Sequence, residues 1–104
     1  MKYAIVSVSK EGAQLGVRVK AGISGEGTLY ERKDGASGKE AVYFTRTLAL
    51  TADIFSRYDG ILFIMASGIA VRAIAAHVVS KASDPAVLVM DECGKHCVSL
   101  LSGH

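Results

Sequence analysis

The chain has 104 residues, half of them hydrophobic and 21% charged, with a formal net charge of +2. That length supports one domain with one core, the composition excludes intrinsic disorder, and a weak, scattered positive charge gives no footprint for nucleic acid. No apolar run approaches the ~18 residues of a membrane span, the start lacks the form of a secretory signal, and two cysteines are too few for a disulfide scaffold, so a cytoplasmic setting is expected.

Lys2 to Val8 reads as a first strand. Ser9 then offers an N-cap oxygen and Glu11 suits the first turn of a helix from about Lys10 to Ala21. Its apolar face is modest, with Leu15, Val17 and Val19, and Gly22 suits a left-handed C-terminal position. Thr28 to Arg32 alternates like a short strand towards one edge of the sheet. Lys33 to Glu40 is polar and glycine-containing, and is expected to be a mobile loop. Val42 to Phe44 is a short extended piece. Thr47 to Tyr58 has helical spacing through Leu48, Ala52 and Phe55.

Asp59-Gly60 turns into Ile61 to Met65, which is apolar at every position. Such a strand is buried on both faces, as in a parallel sheet covered by helices. Ser67-Gly68 breaks the run, and an Ala-rich helix follows from Ile69 to about Val79. Ala86 to Met90 is a second wholly apolar strand. Asp91 to Gly94 is turn-like, and residues 96–101 return as a hairpin partner. The order predicts an α/β domain with a mostly parallel sheet flanked by helices and a C-terminal β-hairpin, a three-layer arrangement of the Rossmann or flavodoxin kind. It forms a single domain over residues 1–104. The ending Ser102-Gly103-His104, immediately after a strand, reads as a truncation.

The best candidate for chemistry is the junction from Met65 to Arg72. Ligands of open α/β sheets bind outside the carboxyl ends of the strands. A helix start there presents free N–H groups to an anion. Gly68 admits a close ligand, Ser67 adds a hydroxyl, and the Arg72 fork can hold a carboxylate. The alternative is that Ser67 merely caps the helix and Arg72 reaches solvent. A second candidate is Asp91-Glu92 with Ser99, Ser102 and His104, where a carboxylate could act as a base on water. The alternative there is a polar hairpin turn.

Cys93, His96, Cys97 and His104 lack a usual zinc spacing, so no protein metal site is expected. In a two-residue turn Cys97 faces Met90 as a core residue, and Cys93 is exposed. His77 reads as a packed or surface histidine. No phosphate-loop fingerprint occurs, which weakens a flavodoxin-like nucleotide binder.

Three blocks carry a resemblance: Asp59 to Ala75, Ser83 to Glu92, and Ser99 to His104. In order and spacing they resemble the N-terminal domain of the cobalt-precorrin 5A hydrolases, the cobalamin biosynthesis protein G family. The likeness is close over nearly half the chain and loose over the first 58 residues. It implies an enzyme of the anaerobic route to vitamin B12, opening the δ-lactone of a cobalt-bearing tetrapyrrole and expelling acetaldehyde to give cobalt-precorrin 5B.

On this resemblance Ser67, Gly68, Arg72, Ser102 and Gly103 bind substrate, and Asp91, Glu92 and His104 are catalytic. No cofactor is implied, since the substrate carries the cobalt. Ser67 stands where the family is expected to have Thr, and Ala76 where it is expected to have Pro, which permits a longer helix. Family members continue past Ser-Gly-His into more of this domain and a C-terminal domain. The rival reading is therefore a non-catalytic module that binds the tetrapyrrole or a partner subunit, with the chemistry in a missing domain.

Overall fold

The computed structural model describes residues 1–38 and 40–102. Its strands are β1 (Lys2–Ser7), β2 (Glu26–Arg32), β3 (Val42–Phe44), β4 (Gly60–Ile64), β5 (Ala86–Met90) and β6 (Cys97–Ser102). Its α-helices are α1 (Lys10–Gly22), α2 (Thr47–Ile54) and α3 (Ser67–Ala75). The six strands form one sheet in the order β3-β2-β1-β4-β5-β6. The first five run parallel, and β6 is antiparallel to β5. The direction of winding reverses between β1 and β4. The expected α/β class and C-terminal hairpin are both present.

The unbroken apolar runs have the expected cause at the centre. Every residue from Ile61 to Met65 is buried, because α1 covers one face of β4 while α2 and α3 cover the other. Leu15 of α1 packs with Tyr3, Ile5, Leu29, Leu62 and Ile64. The opposite layer joins Val6, Phe63 and Val89 to Ile54, Phe55 and Ile74. Strand β5 is different: Leu88 is 38% exposed. A single helix serves the α1 face and does not reach that far. Cys97 pairs with Met90, as the turn reading requires. It is nevertheless exposed rather than in the core, for the same lack of cover.

Helix α1 approaches the sheet through backbone as much as side chains, which explains its thin apolar stripe. A Cβ at Gly16 would lie 3.1 Å from Ile5 Cγ2, and one at Gly12 3.3 Å from the Ile64 carbonyl oxygen. Ser9 caps the helix as expected, its Oγ accepting from the Gly12 N–H at 3.0 Å. The other end departs from expectation. Gly22 stays helical, and the C-cap Ile23 is extended at φ −110° rather than left-handed.

Three further boundaries move. Strand β2 starts at Glu26 and lies inside β3, so β3 is the true edge. Helix α2 stops at Ile54, four residues short of the expected end. Helix α3 begins at Ser67 and ends at Ala75, although Ala76 would allow it to continue. The Asp84 carboxylate accepts the N–H groups of Val79 and Ser80 at 2.9 and 3.1 Å, fixing that segment outside the helix. His77 lies against the Phe55 ring at 5.7 Å between centroids, a packed histidine.

The segment after β2 is better tied than its composition suggests. Glu31 is 1% exposed. It accepts from the Ser37 N–H at 2.9 Å and from the Ser37 hydroxyl at 2.8 Å. Among the described residues no helix is long and apolar enough to cross a membrane.

Candidate functional site

The carboxyl edge of the parallel strands gathers the chain after β1, β2, β3, β4 and β5 onto one side of the sheet. Its parts have different occupancies. The turn after β1 is filled by protein: Ser9 caps α1, and the short helical turn Lys33–Gly35 lies against Ser9. That first βα turn is where a dinucleotide would sit in this strand order.

The start of α3 is open. Ala66, not Ser67, is the N-cap, and no side chain caps the helix. The Ile69 and Ala70 N–H groups both donate to the Ala66 carbonyl, at 3.1 and 3.3 Å. Ser67 and Gly68 are exposed, and nothing lies within 4 Å of a Cβ built at Gly68. The Ser67 hydroxyl therefore has no capping duty, and the Ser67 and Gly68 N–H groups make no hydrogen bond among the described residues.

Arg72 lies elsewhere on the same helix. Five residues at about 100° each turn it roughly 140° away from Ser67. It lines a cavity of about 360 Å³ between α2 and α3, together with Arg32, Arg46, Thr45 and Thr47. A second cavity of about 390 Å³ adjoins it, lined by Arg32, Lys33, Asp34 and Thr45. Asp34 is the one carboxylate in these linings, and it accepts from Arg32 Nε at 2.6 Å. Arg46 and Arg72 form no ion pair among the described residues. Thr45, Arg46, Thr47 and Arg32 were not among the expected site residues. The signal for them was Arg46 itself, a cation at a helix start, where the dipole disfavours it.

Asp91 and Glu92 do reach the edge that carries Ser67. Met90 pairs with Ile64, and the Met65 N–H donates to the Met90 carbonyl at 3.1 Å. The two carboxylates have different surroundings. Asp91 Oδ1 accepts the Cys93 and Lys95 N–H groups at 2.9 and 3.2 Å, and Oδ2 accepts that of His96 at 2.8 Å. Partial desolvation pushes the Asp91 carboxyl up. The N–H groups of Lys95, His96, Cys93 and Gly94 outweigh it and hold it below its ordinary value of 3.8. Glu92 is exposed and makes no side-chain hydrogen bond among the described residues.

A depressed folded-state value stabilises the turn above pH 3.8, and that contribution is lost as pH falls through the lowered value. The amide resonances of Cys93, Lys95 and His96 should therefore titrate together, at a pH below 3.8. Titration at or above that value would show that Asp91 does not hold the turn.

Ser102 is not brought to this edge. It pairs with Ala86 at the start of β5, whereas Asp91 follows the end of that strand. Five residues at ~3.3 Å separate them by roughly 16 Å along the sheet. The expectation that Ser102 shares a site with Asp91 is corrected by the antiparallel return of β6. Gly103 and His104 lie outside the described residues. Among the described residues no three His, Cys, Asp or Glu side chains come together as metal ligands.

Residues 49–104 match the family model described as cobalamin synthesis G N-terminal. That stretch holds α3, β5 and β6 and is more than half of the chain. The chain belongs to the cobalamin synthesis G N-terminal family. A protein of Salmonella typhimurium named cobalt-precorrin-5A hydrolase is 58% identical over 50 residues, 48% of this chain and 14% of that protein. One of Priestia megaterium with the same name is 31% identical over 107 residues, 98% of this chain and 28% of that protein. The crystal structure of a cobalamin biosynthesis protein G homologue from Sulfolobus solfataricus has the same fold. Its TM-score is 0.66 at 24% identity, over 99% of this chain and 30% of that one. The chain thus spans less than a third of each of these three proteins. Within the family, the open start of α3 and the arginine-lined cavity lie on the matched region or against it.

Proposed function

We propose that this chain is part of an enzyme of cobalamin biosynthesis that hydrolyses the δ-lactone of cobalt-precorrin 5A, giving cobalt-precorrin 5B and acetaldehyde. The observation that carries the reading is the family match over residues 49–104, with two relatives bearing the hydrolase name. The carboxyl edge suits the chemistry. Water adds to the lactone carbonyl, and the ring C–O bond breaks to a carboxylate and an alkoxide. The alkoxide collapses to acetaldehyde as its C–C bond breaks, leaving the electron pair on the macrocycle. The cobalt belongs to the substrate.

In this reading Glu92, which makes no side-chain hydrogen bond among the described residues, takes the proton of the attacking water. Asp91 holds the turn that presents it. The Ser67 and Gly68 N–H groups and the Ser67 hydroxyl steady the developing oxyanion. Arg72 binds a peripheral carboxylate. The proton taken by Glu92 returns to the macrocycle carbon that keeps the electron pair. Ser102, at the opposite edge, takes no part.

The second reading, a binding module whose chemistry lies in another part of the protein, is favoured by the small share of each relative covered here. Anaerobic incubation with cobalt-precorrin 5A separates the two. Acetaldehyde released by this chain supports catalysis within it. Acetaldehyde from a longer form alone, with this chain shifting the corrinoid spectrum at unchanged ligand mass, supports the module. Release from neither removes the hydrolase reading.

A further inference from the structure

The cavity between α2 and α3 brings together arginines distant in sequence. Arg32 ends β2, Arg46 precedes α2, and Arg72 stands on α3, yet all three line one space of about 360 Å³. Like charges lining one concave space repel, and an anion relieves that repulsion. Asp34 occupies only the Nε of Arg32, which leaves its two terminal nitrogens for a ligand. The Thr45 and Thr47 hydroxyls lie in the same lining. Helix α2 adds to the field: no side chain caps it and its first turn holds no acid. A cation at a helix start breaks a local rule, and such breaks concentrate at functional sites.

The apolar part of the lining narrows the ligand class. Leu48 is 60% exposed and Ile69 44% exposed, and both flank the arginines. Inorganic phosphate would use the guanidinium groups and leave these aliphatic side chains in water. A flat, largely apolar ring bearing carboxylates at its rim uses both. Two carboxylates on neighbouring ring positions would each meet an Arg fork, while the ring edge covers Leu48 and Ile69.

We propose that this cleft is a double-carboxylate clamp for the rim of a macrocycle, with Arg32, Arg46 and Arg72 as its cations and Leu48 and Ile69 as its apolar floor. The identification of that macrocycle as a tetrapyrrole rests on the hydrolase reading. The clamp sets the orientation of the ring and leaves the chemistry to the start of α3.

The test is a fluorescence titration with uroporphyrin, an octacarboxylate tetrapyrrole, on the wild-type chain and three variants. Arg46→Gln and Arg72→Gln should each weaken binding about tenfold or more, with a shallower salt dependence. Lys81→Gln, a basic side chain lining a cavity at the opposite edge, should leave binding unchanged. Inorganic phosphate at millimolar concentration should compete poorly. All three sites are exposed, so circular dichroism should show unaltered folds. No binding by wild type overturns the clamp, as do equal affinities of wild type and the arginine variants, or equal competition by phosphate. Acetaldehyde release by the longer form distinguishes the two failures. An unchanged KM in Arg46→Gln overturns the clamp and leaves the hydrolase standing. Arginine-dependent uroporphyrin binding without any release leaves the clamp standing and removes the hydrolase.

Discussion

Phe63→Ala should lower the unfolding free energy by about 3–5 kcal/mol, out of the roughly 5–15 kcal/mol that holds a domain together. Phe63 is 0% exposed and sits on β4, between Val6 on one neighbouring strand and Val89 on the other. Its ring fills the layer beneath α2 and α3, beside Ile54, Phe55 and Ile74. Parallel strands on both sides prevent β4 from collapsing into the space, so the cavity term adds fully to the lost transfer energy. Phe44→Ala, on the short edge strand at 8% exposure, should cost less because the edge can close inward. Urea unfolding of the two variants checks this, and a loss under about 1 kcal/mol at Phe63 would contradict the close packing. The site feels the same change. Phe63 lies two residues ahead of Met65, whose N–H ties β4 to Met90, so a shifted β4 moves the start of α3 relative to Glu92.

The centre of this fold was legible because burial on both faces leaves an unbroken apolar run. No polar spacing can interrupt Ile61 to Met65 without placing a polar group in the core. The helix ends were not legible, because distant groups set them. Asp84 holds Val79 and Ser80 from beyond the end of α3. Nothing in the local sequence requires the helix to stop at Ala75. Likewise, the thin apolar face of α1 concealed how closely it packs. Gly12 and Gly16 bring backbone, not side chains, against Ile64 and Ile5.

The candidate site divides in the same way. Ser67, Gly68, Asp91 and Glu92 were findable because each follows a buried parallel strand, and parallel strands end at one edge. Ser102 is near Asp91 in sequence, but the hairpin carries it to the other edge. Arg32 and Arg46 are not legible as partners of Arg72, because 40 and 26 positions separate them from it, and only the packing of α2 on α3 unites them. Their one local sign was a basic residue where Ser, Thr, Asp or Asn normally opens a helix.

Gly35→Ala should cost about 1–3 kcal/mol, with part of the roughly 1 kcal/mol of the Ser9 cap at risk as well. A Cβ at Gly35 would lie 2.8 Å from both Cα and the carbonyl carbon of Ser9, and 3.1 Å from the Lys10 nitrogen. All three are backbone atoms, so no flexible side chain can yield. Either the Lys33–Gly35 turn lifts or the start of α1 moves. Lifting the turn carries Arg32 and Lys33 with it, and Arg32 lines the clamp. Gly35→Ala should therefore also weaken uroporphyrin binding. Gly68→Ala is the matched contrast, since nothing lies within 4 Å of a Cβ there. In the first turn of a helix, Ala should be neutral or stabilising by up to about 1 kcal/mol. It stands outside the arginine cleft and should leave uroporphyrin binding intact. Denaturant unfolding and the porphyrin titration on both variants read each effect separately. A Gly35→Ala chain as stable as wild type would show that the turn does not press on Ser9. Loss of stability with intact binding would mean that Arg32 keeps its place through its bond to Asp34 rather than through the seat of the turn on α1.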